Sequence, residues 1–223
     1  MKILIMKPID KNWSAWRKAN WEFFEKNLEP LPRTKKLIDL GSGPEQFENI
    51  FRQFNYKGID FRKFRDDTVI ADLTKDLPLP NSTADIITLS NVLEHIPNTD
   101  HLFKECRRLL KNDGLIIGTI PFLLGVHQAP YDFNRYTHYQ LKLFLESNDF
   151  SEIHITPLGA QIDVYNSVEL KVFDELKKVH DGITLNLIRS IRRTEMKIIR
   201  WLYASVPAKD RLHEGYGFTA KAT

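Results

Sequence analysis

Three acids and a pair of glycines carry the first chemistry this sequence offers. The stretch LIDLGSGP at 37–44 sets Asp39 just before Gly41-Ser42-Gly43. Glycines there let the backbone turn tightly and approach a ligand closely. A carboxylate in such a turn suits an ammonium group better than a pyrophosphate. Asp60 falls about 20 positions further on, where an acid can accept both hydroxyls of a ribose. Phe61 beside it offers a ring to an adenine face. Asp72 can accept from an exocyclic amino group while the Leu73 backbone meets the ring. Asp60 and Asp72 also read as simple strand-end caps. Three acids closing three consecutive strands favour the binding reading, because α/β sheets hold ligands at those carboxyl ends.

A second group lies further along. His95 and the segment GVHQAPYDFNRYTHYQL at 125–141 supply His127, Asp132, Arg135 and Tyr136. Histidine is the natural base near neutral pH, and His127 is the first choice for that role. Asp132 can orient a histidine or hold a hydroxyl. Arg135 can grip a carboxylate or phosphate, and Tyr136 offers a flat face with a polar tip. In the plainer reading Asp132 and Arg135 pair across a loop turn, and His95 caps the following helix. No His, Cys or carboxylate cluster has metal-ligand spacing along the chain, so no metal is expected. The single cysteine, Cys106, sits in a helical apolar pattern and reads as a core residue.

Elements that could position these residues alternate along the chain. Residues 12–29 repeat Trp13, Trp16, Trp21 and Phe24 at helical spacing, stopped by Pro30 and Pro32. Strands are predicted at 37–40, 56–60, 68–72, 85–90, 115–120, 150–156 and 215–222. Helices are predicted after the glycine turn (Phe47, Ile50, Phe51 and Phe54 on one face) and over 99–111, closed by Gly114. Another opens at Thr137, whose spacing to Gln140 is a capping box. Two more cover about 163–180 and 183–203. Alternating strands and helices with continuous apolar strand runs imply a Rossmann-like α/β fold, a mostly parallel sheet covered on both faces. One domain is expected over 1–223: an N-terminal helical cap (1–36), a cofactor-binding core (37–156), a helical insertion (157–210) and a last strand (211–223).

The glycine turn lacks the third glycine of the dinucleotide fingerprint, where Gln46 stands. S-adenosylmethionine, with its ammonium and sulfonium, fits Asp39 better than NAD does, while Asp60 suits the adenosine of either. From LIDLGSGP, Asp60, Asp72 and LPLPNSTADIITLSNVLEHIPN (77–98), the chain resembles the class I S-adenosylmethionine-dependent methyltransferases. The resemblance covers about 37–156 and the last strand. It implies a seven-stranded sheet with an antiparallel final hairpin and S-adenosyl-L-methionine as cofactor. It also implies that Asp39, Gly41, Ser42 and Gly43 surround the methionine end and that Asp60 holds the ribose. Asp72 and Leu73 then read adenine, and Asn91 lies under the sulfonium. Where the family often has a small residue this chain has Glu45, which makes the loop's edge bulkier. The segment 125–141 resembles a bacterial subgroup found among surface-polysaccharide enzymes, implying a small-molecule or glycan acceptor, methylated at oxygen. RNA or protein methylation and a non-catalytic module of the same fold stay open as alternatives.

Composition excludes little beyond this. With 32 basic and 29 acidic residues the formal charge is +3, which makes a nucleic-acid partner unlikely. The opening run is too short for a signal peptide and no stretch suits a spanning helix, so a cytoplasmic protein is expected. Residues 188–202, IRSIRRTEMKIIRWL, mix apolar and basic positions. They offer peripheral membrane contact or a solvated helix face.

Overall fold

A computed structural model describes residues 13–44, 46–180, 182–205 and 212–223. Glu45 lies outside them, as do 1–12 of the N-terminal cap and the junction between insertion and last strand.

Helix α1 (Ala15–Leu28) starts where the Ser14 hydroxyl accepts from the Arg17 N–H at 3.2 Å. Strand β1 (Lys36–Leu40) leads to the glycine turn, and a single helical turn α2 (Glu48–Phe51) follows. Next come β2 (Asn55–Asp60), β3 (Val69–Ile70), β4 (Ala84–Ser90) and a 3-10 turn (Leu93–His95). Then follow α3 (Thr99–Leu109), β5 (Leu110–Pro121), α4 (His138–Glu146), β6 (Phe150–Leu158), α5 (Gln161–Val179), α6 (Ile183–Tyr203) and β7 (Gly215–Ala222).

The seven strands form one sheet in the order β3-β2-β1-β4-β5-β7-β6. Only β7 runs against its neighbours, β5 and β6. The chain leaves β1 for β2 and β3 on one side and returns to β4 on the other. The gap between the carboxyl ends of β1 and β4 is therefore the switch point where such sheets bind ligands. Two apolar layers flank the sheet. Leu37, Ile86 and Ile117 pack with Phe24 and Leu28 of α1 and with Phe47, Phe51 and Phe54. Ile38, Leu40, Ile87 and Leu89 pack on the other face with Leu102, Phe103, Cys106 and Leu109 of α3, and with Leu141 and Leu145 of α4. Each such fully buried side chain contributes roughly 1.5–3 kcal/mol.

Some local expectations change. Gly114 does not end α3. Leu110 is already extended at φ −72°, ψ 141°, and it is Asp113 that turns left-handed at φ 60°. Gly114 is needed for closeness instead, since a Cβ there would stand 2.8 Å from the Lys111 carbonyl oxygen. The third strand shrinks to two residues at the sheet edge, with Asp72 beyond it. The helix after the glycine turn is one turn long: Phe47 before it stands outside helical backbone at φ −112°, ψ 27°, and Arg52 closes it with its N–H on the Glu48 carbonyl.

Candidate active site

The glycine turn is built on β2. The N–H groups of Gly41 and Ser42 both donate to the Ile59 carbonyl, at 2.8 and 3.1 Å. Gly41 and Gly43 take φ of 74° and 52°, values that favour glycine. A Cβ on Gly41 would stand 2.5 Å from Val92 Cγ2, whereas one on Gly43 would meet nothing within 4 Å. The first glycine thus lets β4's continuation pack against the turn, and the second leaves the approach open. The Ser42 hydroxyl is buried with no hydrogen-bond partner among the described residues. An open approach beside an orphaned buried hydroxyl fits a polar ligand such as the amino-acid end of S-adenosylmethionine.

Asp39 lies beneath this turn, 3% exposed, and accepts from the Thr88 hydroxyl at 2.6 Å and the Tyr56 hydroxyl at 3.0 Å. Its carboxylate bridges the switch point from β1 to β4. Asp60, buried at the end of β2, accepts from the Gly43 N–H at 2.8 Å and from the Arg62 N–H at 3.2 Å. It holds the turn closed and keeps spare lone pairs. Phe61 is exposed at the rim with the Arg62 guanidinium 4.9 Å over its ring. Asp72 accepts from the backbone and hydroxyl of Thr74 at 2.9 and 2.7 Å, and these bonds, with Lys75 nearby, lower its pKa. Leu73 is buried behind it.

Asn91 follows β4 in a left-handed conformation, φ 53°, a region asparagine tolerates well. Its side-chain oxygen accepts from the Trp16 indole at 3.1 Å, and its amide donates to Asn20 Oδ1 at 3.1 Å. Asn20 is fully buried, and its oxygen also accepts from the Thr119 hydroxyl. The N-terminal helix therefore grips the floor of the site through the Trp16 indole and through Asn20, which the aromatic pattern alone did not single out.

The loop after β5 folds back over the 3-10 turn. The N–H groups of Phe133 and Asn134 donate to the Glu94 carbonyl at 2.7 and 3.2 Å, and Asn134 Nδ2 donates to the Ile96 carbonyl at 2.8 Å. That stitching brings His127 to His95, ring centroids 5.1 Å apart and nearly perpendicular. Asp132 has a buried side chain that meets Arg135 Nη1 and Nη2 at 2.6 and 2.9 Å, which holds its carboxyl far below the usual carboxylate range. Asp132 also accepts from the His127 N–H at 2.8 Å and lies 3.3 Å from His127 Nδ1. Arg135 is spent on this brace and on the carbonyls of Leu124 and Asn134. Tyr136 turns inward, its hydroxyl 2.9 Å from the Thr99 hydroxyl and its ring 5.3 Å from Phe144. His95 does not cap α3, because Asn98 does so by accepting from the His101 N–H.

Sequence reasoning missed Glu94. It is fully buried, and neither carboxylate oxygen has a hydrogen-bond partner among the described residues. Burial pushes its pKa up to about 8, and burial lowers that of His95. Nε2 of His95 and Nε2 of His127 each lie 3.8 Å from Glu94 Oε1. The available signal was an acid beside a histidine in a turn at the carboxyl end of β4.

An open α/β sheet with acids and a glycine turn at its switch point defines a nucleotide-cofactor enzyme of Rossmann-like architecture. The sequence model of a family described as a methyltransferase domain matches residues 13–148, and the chain belongs to that family. It is an S-adenosylmethionine-dependent methyltransferase, with S-adenosylmethionine as cofactor. A curated relative, the ubiquinone biosynthesis O-methyltransferase of Marinobacter nauticus, is 24% identical over 166 residues, 70% of this chain and 67% of that protein. The structure also resembles a SAM-dependent methyltransferase from Archaeoglobus fulgidus, with TM-score 0.60, 18% identity and coverage of 92% of this chain and 94% of that one. A second similar structure is the Haemonchus contortus phosphoethanolamine N-methyltransferase 2 in complex with S-adenosyl-L-methionine. Its TM-score is 0.57 at 14% identity, and the match covers 92% of this chain but 52% of the other.

Proposed function

We propose that the protein methylates a hydroxyl oxygen of a small-molecule or glycan acceptor, and that the acceptor loses its proton at the cluster around His127. The observation that carries this reading is the chain Arg135–Asp132–His127. A clamped carboxylate 3.3 Å from Nδ1 orients the imidazole, whose Nε2 stands 3.8 Å from Glu94 Oε1. Base and orienting acid in that order are what proton removal from a hydroxyl requires. S-adenosylmethionine supplies an electrophilic methyl group on sulfur. The protein's own part is to hold Asp39, Asp60, Asp72 and Asn91 around the cofactor, with Gly41, Ser42 and Gly43 giving close access. Val92 links the two halves, because it packs on Gly41 and lies two residues before Glu94. The O-methyltransferase relative supports oxygen as the target, and the segment 125–141 supports a glycan acceptor.

Membrane contact through 188–202 fits a lipid-linked glycan. Ile188, Ile191, Ile198, Trp201 and Leu202 are exposed on α6 beside Arg189, Arg193 and Lys197. Among the described residues no helix is long and apolar enough to cross a membrane.

The test is a screen of sugars, nucleotide sugars and phenols with methyl-labelled S-adenosylmethionine, followed by identification of the methylated atom. An O-methyl product whose formation collapses in His127→Ala supports the reading. A product methylated at nitrogen, or turnover indifferent to His127, overturns it.

A further inference from the structure

The sequence spacing gave no reason to expect a metal, but the fold groups three donors that are far from periodic along the chain. Glu94, His95 and His127 each offer one ligand atom, all within 4.8 Å of one another. We propose that Glu94, His95 and His127 form a binding site for one divalent first-row transition cation, held through a Glu94 carboxylate oxygen and Nε2 of both histidines.

Geometry supports this first. Two donors each about 2.2 Å from a common ion, with a wide angle between them, stand about 3.8 Å apart. Both histidine nitrogens are 3.8 Å from Glu94 Oε1, so little movement separates the present arrangement from a coordinated one.

The outer contacts supply an independent argument. A histidine ligand donates its other ring N–H to a carboxylate or carbonyl, which fixes the tautomer and aims the free nitrogen at the ion. Nδ1 of His95 lies 2.5 Å from the Tyr131 carbonyl oxygen. Nδ1 of His127 lies 3.3 Å from Asp132 Oδ2 and 3.3 Å from the Gly125 carbonyl oxygen. With protons on both Nδ1 atoms, both Nε2 lone pairs converge on Glu94. The Asp132 carboxylate is itself fixed by Arg135.

Glu94 gives the third argument. A wholly buried carboxyl with neither oxygen satisfied is costly to keep. A cation between it and the two histidines would satisfy an oxygen and favour the charged carboxylate. Two imidazoles and one carboxylate suit zinc and its first-row neighbours better than magnesium or calcium. Three protein ligands leave a position open for a water or an acceptor oxygen. With an ion bound, His127 Nε2 is a ligand and no longer the base, and the ion would instead lower the pKa of a bound hydroxyl. That catalytic use rests on the O-methylation reading, while occupancy of the site does not.

The experiment measures binding alone, with neither cofactor nor acceptor present. The full chain is treated with a chelator, dialysed and titrated with Zn2+ by calorimetry, and with Co2+ while its visible absorption is followed. The expected result is one equivalent bound, with the Co2+ spectrum of a four- or five-coordinate nitrogen and oxygen site. Glu94→Gln and His127→Ala should each weaken binding by about 100-fold or more. Asp132→Asn, which removes no donor, should weaken it about 10–100-fold. The surface variant His154→Ala should bind as the parent does. Circular dichroism of each variant shows that it is folded. A folded parent that binds neither ion overturns the proposal, as does binding unchanged by both Glu94→Gln and His127→Ala. Failure of the acceptor screen with metal bound would count against O-methylation and leave the site standing.

Discussion

Asn20 of the first helix and Asn91 at the end of β4 are joined by a 3.1 Å hydrogen bond across 71 positions of sequence. The same Asn20 oxygen takes the Thr119 hydroxyl from β5. One buried amide thus ties the helix to two central strands beside the cofactor turn. Asn20→Leu would leave the Thr119 hydroxyl without its Asn20 partner and the Asn91 amide with only a 3.5 Å contact to the Ser90 hydroxyl, at a cost of about 1–3 kcal/mol. Urea unfolding should show the lower midpoint, and calorimetry should show S-adenosylmethionine binding several-fold more weakly. A variant with parental stability and affinity would mean that the helix only covers the site.

Asp60→Ala removes the acceptor of the Gly43 and Arg62 N–H groups and the proposed ribose contact together. S-adenosylmethionine and S-adenosylhomocysteine should both lose at least tenfold in affinity, about 1.4 kcal/mol or more. Equal affinities in parent and variant would remove Asp60 from the cofactor site.

His127→Ala should lower the rate of methyl transfer by about 10²–10⁴-fold, with the Kd for S-adenosylmethionine unchanged within a few-fold. Arg135→Lys should give a smaller loss, because a lysine cannot reproduce the two-pronged hold on Asp132. Loss of cofactor binding in His127→Ala would place that residue in the cofactor site instead.

A pH-dependent contribution to stability comes from Glu105 and Arg108. Glu105 accepts from Arg108 and from the buried Leu77 N–H at 2.7 Å, while Arg108 also donates to the Leu77 and Leu79 carbonyls. The Arg108 bonds lower the Glu105 pKa below 4.5. A lowered folded-state pKa means stabilisation present above about 4.5 and lost as pH falls through the folded value. The parent's unfolding midpoint should therefore fall more steeply than that of Glu105→Gln as pH drops from 5 toward 3. Parallel curves would show that the pair is not coupled to folding.

The order of elements was legible because strands and helices bring different periods and different stop residues. Ser14, Thr137 and the apolar face of α3 behaved as local chemistry requires. The misplaced stop at Gly114 has a tertiary cause. Leu110 is captured by pairing with Ala84 in β4, so the chain is extended before the glycine is reached. The positions of Asp39 and Asp60 were legible because each lies at the carboxyl end of a strand fixed by local sequence, whereas Asp72 falls beyond the shortened β3. The Glu94–His95–His127 grouping was not, since it exists only once Phe133 and Asn134 dock on the Glu94 carbonyl. Similarly, Arg135 and Tyr136 have suitable side chains, but the loop's path turns one to Asp132 and the other to Thr99.

Glycines 215 and 217 in β7 have a consequence for how this protein is made. A Cβ on Gly215 would overlap the Trp16 ring, and one on Gly217 would stand 2.7 Å from the Phe23 ring. The Trp16 and Phe23 side of the first helix therefore seats on the last strand while the rest of it packs on β1, β4 and α2, and among the described residues β6 has no neighbour in the sheet other than β7. During synthesis on the ribosome, that side of the helix must wait for β7 to emerge before its resting place is complete. A nascent chain stopped short of β7 would expose Trp16 and Phe23 of α1 and a bare edge of β6 together, the kind of surface that cellular quality control removes.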